Sequence, residues 1–174
     1  QSPSSAASDV YKRQVRGAGK RLESDATYGE DDYNLLNTFN DNGFTLGVQG
    51  GGGAFVQNTT GTNSMSWSWK AGGNKNTFNI DDVGYASAAA AGLDGGSTNP
   101  TGASVNTKSK FGIYIFDGNS SNRTMSHGLG QQPDFMICKK KSTSGNSWVV
   151  WHSSIANTEY LLLNSYAAKA TDAT

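Results

Sequence analysis

Two histidines, two acidic clusters and a set of aromatic side chains are the residues whose types and spacing could do chemistry in this chain. His127 in SHGLG and His152 in WVVWHSS could act as base, metal ligand or proton switch. Neither has the company that such work needs. The sequence holds no G-x-S-x-G, no H-E-x-x-H and no spaced carboxylate pair in a recognisable context. His152 has no Cys, Asp or second His at metal-ligand spacing. His127, followed by Gly128 and Gly130, reads instead as a structural turn at a sheet end, with the glycines taking positive φ. We therefore expect no catalytic residue, no metal site and no cofactor, and no enzymatic activity.

The acidic clusters are GEDD, Gly29 to Asp32, and the pair Asp81 and Asp82. Exposed carboxylates hold calcium in many extracellular β proteins, but neither cluster has the alternating D-x-D-x-D-G pattern of a dedicated loop, so solvated turns are expected. The glycine run QGGGGAF, Gln49 to Phe55, lacks the Lys-Ser/Thr and the strand-to-helix setting of a phosphate cradle and reads as a loop. Lys139 to Lys141 read as a solvated strand end that discourages edge pairing.

Aromatic faces stack on sugar rings, with nearby Asn and Asp fixing hydroxyls. Trp67 and Trp69 share a face with Met65 in SMSWSWKAGG, which predicts a half-buried strand with both indoles in the core. Trp148 and Trp151 are separated by an odd interval, so one of them must face outward in a regular strand. Trp148 and Trp151 are thus the expected glycan-stacking residues, with the choice between them open.

Those residues sit on strands. In KFGIYIFDG, Phe111, Ile113 and Ile115 take one face and Tyr114 and Phe116 the other, the pattern of a strand buried largely on both sides. DFMICKKK, closed by STSGN, predicts a hairpin with SWVVWHSS as its return strand, and TEYLLLN predicts one strand more. Cys138, the sole cysteine, lies in the apolar run FMIC and is expected to be a buried small hydrophobe. YNLLNTF and NDNGFTLG give weaker strand signals in the front half. Between the halves, YASAAAAGLDGGSTNPTG lacks an apolar stripe and predicts a linker or long surface loop, with one helical turn or two at Ala86 to Ala91 as the alternative.

Composition agrees with sheets. Of 174 residues, 22 are Gly, 21 Ser, 16 Asn and 15 Thr, a bias toward turns and strands over helices. Charged residues make up 16 per cent and the net charge is zero, so there is no electrostatic footprint for nucleic acid or anionic lipid. No apolar run of about 20 residues suggests membrane insertion. Three sequons, at Asn58, Asn119 and Asn122, would matter only in a eukaryotic secretory pathway.

The stretch SSAASDVYKRQ, Ser4 to Gln14, has no apolar period and can be back-translated as a transposase adapter used in sequencing libraries. Residues 1–14 are accordingly expected to be an adapter-derived artefact and disordered, with the native chain continuing upstream. Comparison of the two ends at an offset of 139 residues aligns GAGKRLESDATYGEDD from Gly17 with ANTEYLLLNSYAAKAT from Ala156, with Leu22 over Leu161 as the single identity.

The series GIYIFDGNSSNRTMSHGLGQQPDFMICKKKSTSGNSWVVWHSSIANTEYLLLN, with VRGAGKRL, FNDNGFTLG and MSWSWKAGG, resembles a module found in tandem copies in structural proteins of marine tailed bacteriophages. The resemblance covers nearly all of Val15 to Asp172. It departs at Arg21 and Glu159, where RL and EYL stand against the usual KYL, so no role there requires lysine. It implies residues 15–73 as the C-terminal half of one β-module, 74–108 as a Gly/Ala/Ser-rich connection, and 109–174 as the N-terminal half of the next. The implied fold is an all-β, loop-rich antiparallel β-sandwich, lectin-like or jelly-roll-like, which could be permuted if the first half completes the sheet of the second.

The expected function is a non-catalytic virion structural module of the tail or tail fibre, a spacer or host-surface adhesion unit located in the phage particle. The expected partners are other virion subunits, a homo-oligomer in the intact protein, and host cell-surface glycans. The alternative is a carbohydrate-binding module of a secreted bacterial or prophage-encoded adhesin, with an extracellular location. A fibre-borne glycan depolymerase ranks third.

Overall fold

A computed structural model describes residues 19–32, 36–40, 43–47, 61, 63, 65–66, 68–73 and 76–172. Residues 1–14, the run Gln49–Phe55, Trp67 and Asn58 lie outside the described residues. Every regular element is a strand, so the chain is all-β and sandwich-like in class, and no helix occurs among the described residues. The chain divides into two compact units, one within residues 34–131 and the other formed by 20–33 with 132–174.

The first unit holds β3 (Leu36–Asn40) and β4 (Gly43–Leu46), a hairpin with a bulge between Leu36 and Thr38. It also holds a four-stranded sheet of β5 (Phe78–Ile80), β6 (Val83–Tyr85), β7 (Gly102–Asn106) and β8 (Phe111–Ile115), in the order β6-β5-β7-β8. Asp81 and Asp82, with φ of 48° and 69°, form the two-residue connection of β5 to β6, the positive-φ pair that matches strand twist in a tight hairpin. β5 and β7 run parallel, a departure from the purely antiparallel sheet expected.

The strand register sorts the side chains into two faces. Phe78 and Ile80 of β5 stand beside Ala103 and Val105 of β7 and Tyr114 of β8, and this face packs on Ala88, Leu93 and Leu129 to make the core. The opposite face carries Asn79, Ser104 and Asn106, which are buried, and Phe111, Ile113 and Ile115, which are half-buried.

The segment 74–108, expected as a connection, is therefore corrected: it contributes three strands and most of the core. Periodicity missed it because its buried residues are mainly Gly, Ala, Ser and Asn. Ser87 to Leu93 is one capped turn. The Ser87 hydroxyl accepts from the Ala90 N–H at 3.1 Å, and Leu93 N–H bonds Ala88 C=O at 2.8 Å across Gly92, whose φ is 66°.

The segment Trp69–Gly73 lies over the polar face as a strap. Gly72 N–H donates to Ser104 Oγ at 2.9 Å, Ser104 Oγ–H donates to Asn79 Oδ1 at 2.7 Å, and Asn79 Nδ2 donates to the Asn76 carbonyl at 2.7 Å. This chain satisfies Asn79, which is only 1 % exposed and would otherwise cost about 1–3 kcal/mol as an unpaired buried amide. The half-buried strand expected from SMSWSWKAGG is corrected here. Its described residues form no strand, Met65 is 73 % exposed and Trp69 69 % exposed, and Trp69 stacks on Phe111 with centroids 6.1 Å apart. The backbone of the strap, hydrogen-bonded to polar side chains, docks it more firmly than its indoles do.

In the second unit, β1 (Lys20–Arg21) pairs with β2 (Asp31–Asp32), and a four-stranded sheet runs β12-β11-β10-β9, from β9 (Phe135–Cys138), β10 (Val149–His152), β11 (Glu159–Leu162) and β12 (Ala170–Thr171). Among the described residues no strand of 15–73 pairs with a strand of 109–174, so the shared sheet of a permuted sandwich is not what joins them. Loop contacts do. Glu30 N–H bonds Lys141 C=O at 2.7 Å and Gly145 N–H bonds Thr27 C=O at 2.9 Å.

The weak repeat acquires structural form in this unit. β1–β2 pairs Lys20 with Asp32 and Arg21 with Asp31, and β11–β12 pairs Glu159 with Thr171 and Tyr160 with Ala170. Each of these four positions in the second hairpin lies 139 residues after its counterpart in the first.

Candidate functional site

The register of the β9–β12 sheet decides which aromatic side chains share a face. Val149 faces Cys138 and Leu162, and Trp151 faces Met136, so Met136, Val149, Trp151 and Tyr160 stand on one side. The other side carries Phe135, Ile137, Val150, His152 and Leu161, of which Val150 alone is buried, at 6 % exposure. On the first side lies a groove of about 430 Å³, floored by Met136, Val149, Trp151 and Tyr160. Its rim is polar: Gln132, Asn157, Thr158, Glu159 and Asp172.

The two expected stacking residues part company. Trp151 lines the groove, and its indole N–H donates to the Ala156 carbonyl at 3.3 Å, which fixes the ring beside the 153–158 turn. Trp148 is half-buried, and its indole N–H donates to the Glu23 carbonyl at 2.6 Å, tying strand β10 to the 20–33 segment. The Trp148 backbone is held too, its N–H by Asn164 Oδ1 at 2.8 Å and its C=O by Leu163 N–H at 3.1 Å. Trp148 is a structural tie, and as a glycan-stacking residue it is corrected to Trp151 alone. The odd spacing separated the two rings, but only the contact with Glu23, 125 residues away in sequence, says which one is occupied.

The rim residues escaped the sequence reading because each comes from a different loop. Tyr160 was visible as a strand aromatic, and its place beside Trp151 follows once β10 and β11 are paired. Among the described residues, the side chains of Gln132, Asn157, Thr158 and Asp172 form no hydrogen bond to another side chain or to backbone. Glu159 is committed: its carboxylate meets Lys169 Nζ at 2.6 Å and the Ala156 N–H at 3.0 Å, and both contacts hold it below the usual carboxylate range.

The remaining candidates close turns. Nδ1 of His127 accepts from Leu129 N–H at 3.1 Å, while its carbonyl accepts the Tyr114 hydroxyl. Gly128 and Gly130 have φ of 68° and 74°, and a methyl group on Gly128 would meet Leu93 Cδ2 at 2.9 Å. Nδ1 of His152 accepts from Ser154 N–H at 3.0 Å, and its ring lies edge-on to Phe135. The structure does not bring His127 and His152 together, since they belong to different units.

The acidic clusters are spent on neighbours rather than solvated. Arg21 forks onto Asp31 at 3.1 and 2.6 Å and lowers its pKa, while Asp32 meets Lys20 Nζ at 2.6 Å and raises that ammonium above its ordinary value. Asp81 accepts from both the hydroxyl and the N–H of Thr107, which lower its pKa, and Asp82 meets Lys70 at 2.9 Å.

Two other expectations are corrected. The Lys139 ammonium is not solvated but donates to the Asn146 and Thr27 carbonyls at 2.7 and 3.2 Å. Cys138, expected to be buried, is exposed at the residue level, although partial desolvation pushes its thiol up. Its strand β9 is exposed along its whole length, so the FMIC run does not mark a core.

Fold and site together define an all-β binding or scaffold module with one open groove and no assembled acid–base pair among the described residues. The chain belongs to a recognised family, described as a domain of unknown function (DUF7483), whose model matches residues 1–174. No curated protein and no solved structure matches the chain.

Proposed function

We propose that this chain is a non-catalytic structural module of a tailed-bacteriophage virion, of the tail or tail fibre, in which the module recurs in tandem as a spacer or host-surface adhesion unit. The observation that carries this reading is the return of one hairpin register after 139 residues, because a coincidence of pairing is improbable where sequence identity has vanished. The resemblance of the HGLG corner and the strands around it to tandem virion modules supports it. So does the use of the charged and histidine side chains to close turns and hairpins. Its partners are other virion subunits and further copies of the same chain.

Mass spectrometry of purified particles, together with the sequence of the intact gene, tests the reading. The product should be a stoichiometric particle component, and the gene should encode at least one more copy of the module. A single-copy gene whose product is absent from particles overturns it. The groove at Trp151 favours one other reading, a carbohydrate-binding module of a secreted bacterial or prophage-encoded adhesin, for which the product would be found in the secreted fraction and not in particles.

A further inference from the structure

The groove beside β10 has the two surfaces that a sugar ring needs, and in the right order. Its floor is apolar and aromatic, from Trp151, Tyr160, Met136 and Val149. Its rim supplies an amide from Asn157, a hydroxyl from Thr158 and a carboxylate from Asp172, none of them used on another described residue. A pyranose presents an apolar C–H face, which stacks on an aromatic ring, and an edge of hydroxyls, which carboxylate and amide groups fix.

Charge narrows the class. The lining includes the carboxylates of Glu159 and Asp172 and no Lys or Arg, and Glu159 is balanced by Lys169 at 2.6 Å, which leaves Asp172 as the local charge. A sulfated, sialylated or uronate sugar would meet like charge. The aromatic floor is also not something the hairpin demands, since the equivalent hairpin carries Lys20 and Arg21 where this one has Glu159 and Tyr160.

We propose that this groove binds the ring face of a neutral pyranose, stacked on Trp151 and held through its hydroxyls by Asn157, Thr158 and Asp172. The inference rests on the adhesion side of the reading above and gives it a ligand class.

The test titrates the full chain with neutral methyl pyranosides and immobilised neutral oligosaccharides, beside sulfated and uronate counterparts, followed by calorimetry and NMR. Weak binding of at least one neutral sugar, at about millimolar affinity for a monosaccharide, is expected. Trp151→Ala should weaken it roughly three- to tenfold, the range that one aromatic stacking contact supplies. Because Trp151→Ala removes packing as well, Asn157→Ala, at an exposed turn position, should also weaken binding while leaving the thermal transition in place. Trp69→Ala, in the other unit, should bind as the parent does.

Absence of neutral-sugar binding up to about 10 mM overturns the proposal. So does a preference for anionic sugars, or binding indifferent to both groove variants. Recovery of the chain in particles is independent of these outcomes: a particle component that binds no sugar defeats the glycan site and leaves the virion reading standing.

Discussion

A single methyl group on Gly72 tests whether the strap is docked as described. It would lie 2.0 Å from Asn79 Oδ1, 2.6 Å from the Asn79 carbonyl oxygen and 2.9 Å from the Val105 amide nitrogen. The last two are backbone atoms of the parallel-paired strands β5 and β7 and cannot swing aside. Gly72→Ala must therefore lift the strap, which breaks the 2.9 Å bond to Ser104 and the 2.5 Å bond from Asp82 N–H to the Gly72 carbonyl. Overpacking costs about 1–3 kcal/mol, and a buried polar group left short of a partner costs about 1–3 kcal/mol more. We expect a loss of about 2–5 kcal/mol, equivalent to a fall of at least about 8 °C in Tm for a unit of this size. Urea titration and calorimetry would read it against Gly118→Ala, where the added methyl meets nothing within 4 Å and the change should stay within about 0.5 kcal/mol. Adding Asn79→Ala to Gly72→Ala should rescue only part of the loss, because the two backbone contacts remain. Equal stability of the two glycine variants would refute the docked strap and, with it, the account of how Asn79 and Ser104 are satisfied.

The other predictions concern single groups in the same unit. Burial pushes the Tyr114 phenol up to about 12, whereas an unfolded tyrosine titrates near 10, so its neutral form contributes stability in full below about pH 10 and loses that contribution as pH rises through about 12. Tyr114→Phe should cost about 1 kcal/mol at neutral pH through the lost bond to the His127 carbonyl, and the gap from the parent should close across that alkaline window in urea midpoints. Asp81 shifts the opposite way: the Thr107 hydroxyl and N–H depress its pKa, so its contribution is present above the unfolded carboxyl value near 4 and disappears as pH falls through the lower folded value. Asp81→Asn should be less stable than the parent at neutral pH and converge on it in acid. Gly92→Ala should cost about 1 kcal/mol in thermal melts, and Gly92→Asn less, because φ is 66° while the space around the added methyl is empty.

Strands β8, β10 and β11 were legible because apolar side chains alternate along them, and alternation survives any arrangement that covers one face. The groove was half legible: the odd interval from Trp148 to Trp151 put the rings on opposite faces, but the pairing with β11 that adds Tyr160 and the distant carbonyl that occupies Trp148 are tertiary facts. What stayed hidden was β7, GASVN, buried at every position. Hydropathy cannot see it, because two of its five residues are polar and are satisfied by partners 25 and 35 residues away, Asn79 and the Ala71 carbonyl. The converse error has the same root. SMSWSW alternates as a buried strand does, yet the neighbouring backbone of Ala71 and Gly72 found polar side chains to bond, and that contact set the path of the chain while Met65 and Trp69 stayed outside.

The two equivalent hairpins show what such a fold preserves when its sequence drifts. Lys20 and Glu30 in the first stand where Glu159 and Lys169 stand in the second, so both signs are inverted and opposite charges still face each other. In the second hairpin the pair closes at 2.6 Å, and in the first Glu30 adds to the raised proton affinity of Lys20 behind the main contact with Asp32. An exposed ion pair is worth only about 0–1 kcal/mol, too little to hold one particular sign in place. Like charges at the same two positions would instead work against the pairing, so one reversal favours the other. Register, fixed by backbone hydrogen bonds, is the quantity that persists, and chemistry is free to vary upon it: one copy carries Arg21 as a clamp on Asp31, and the other carries Tyr160 as half of an aromatic floor.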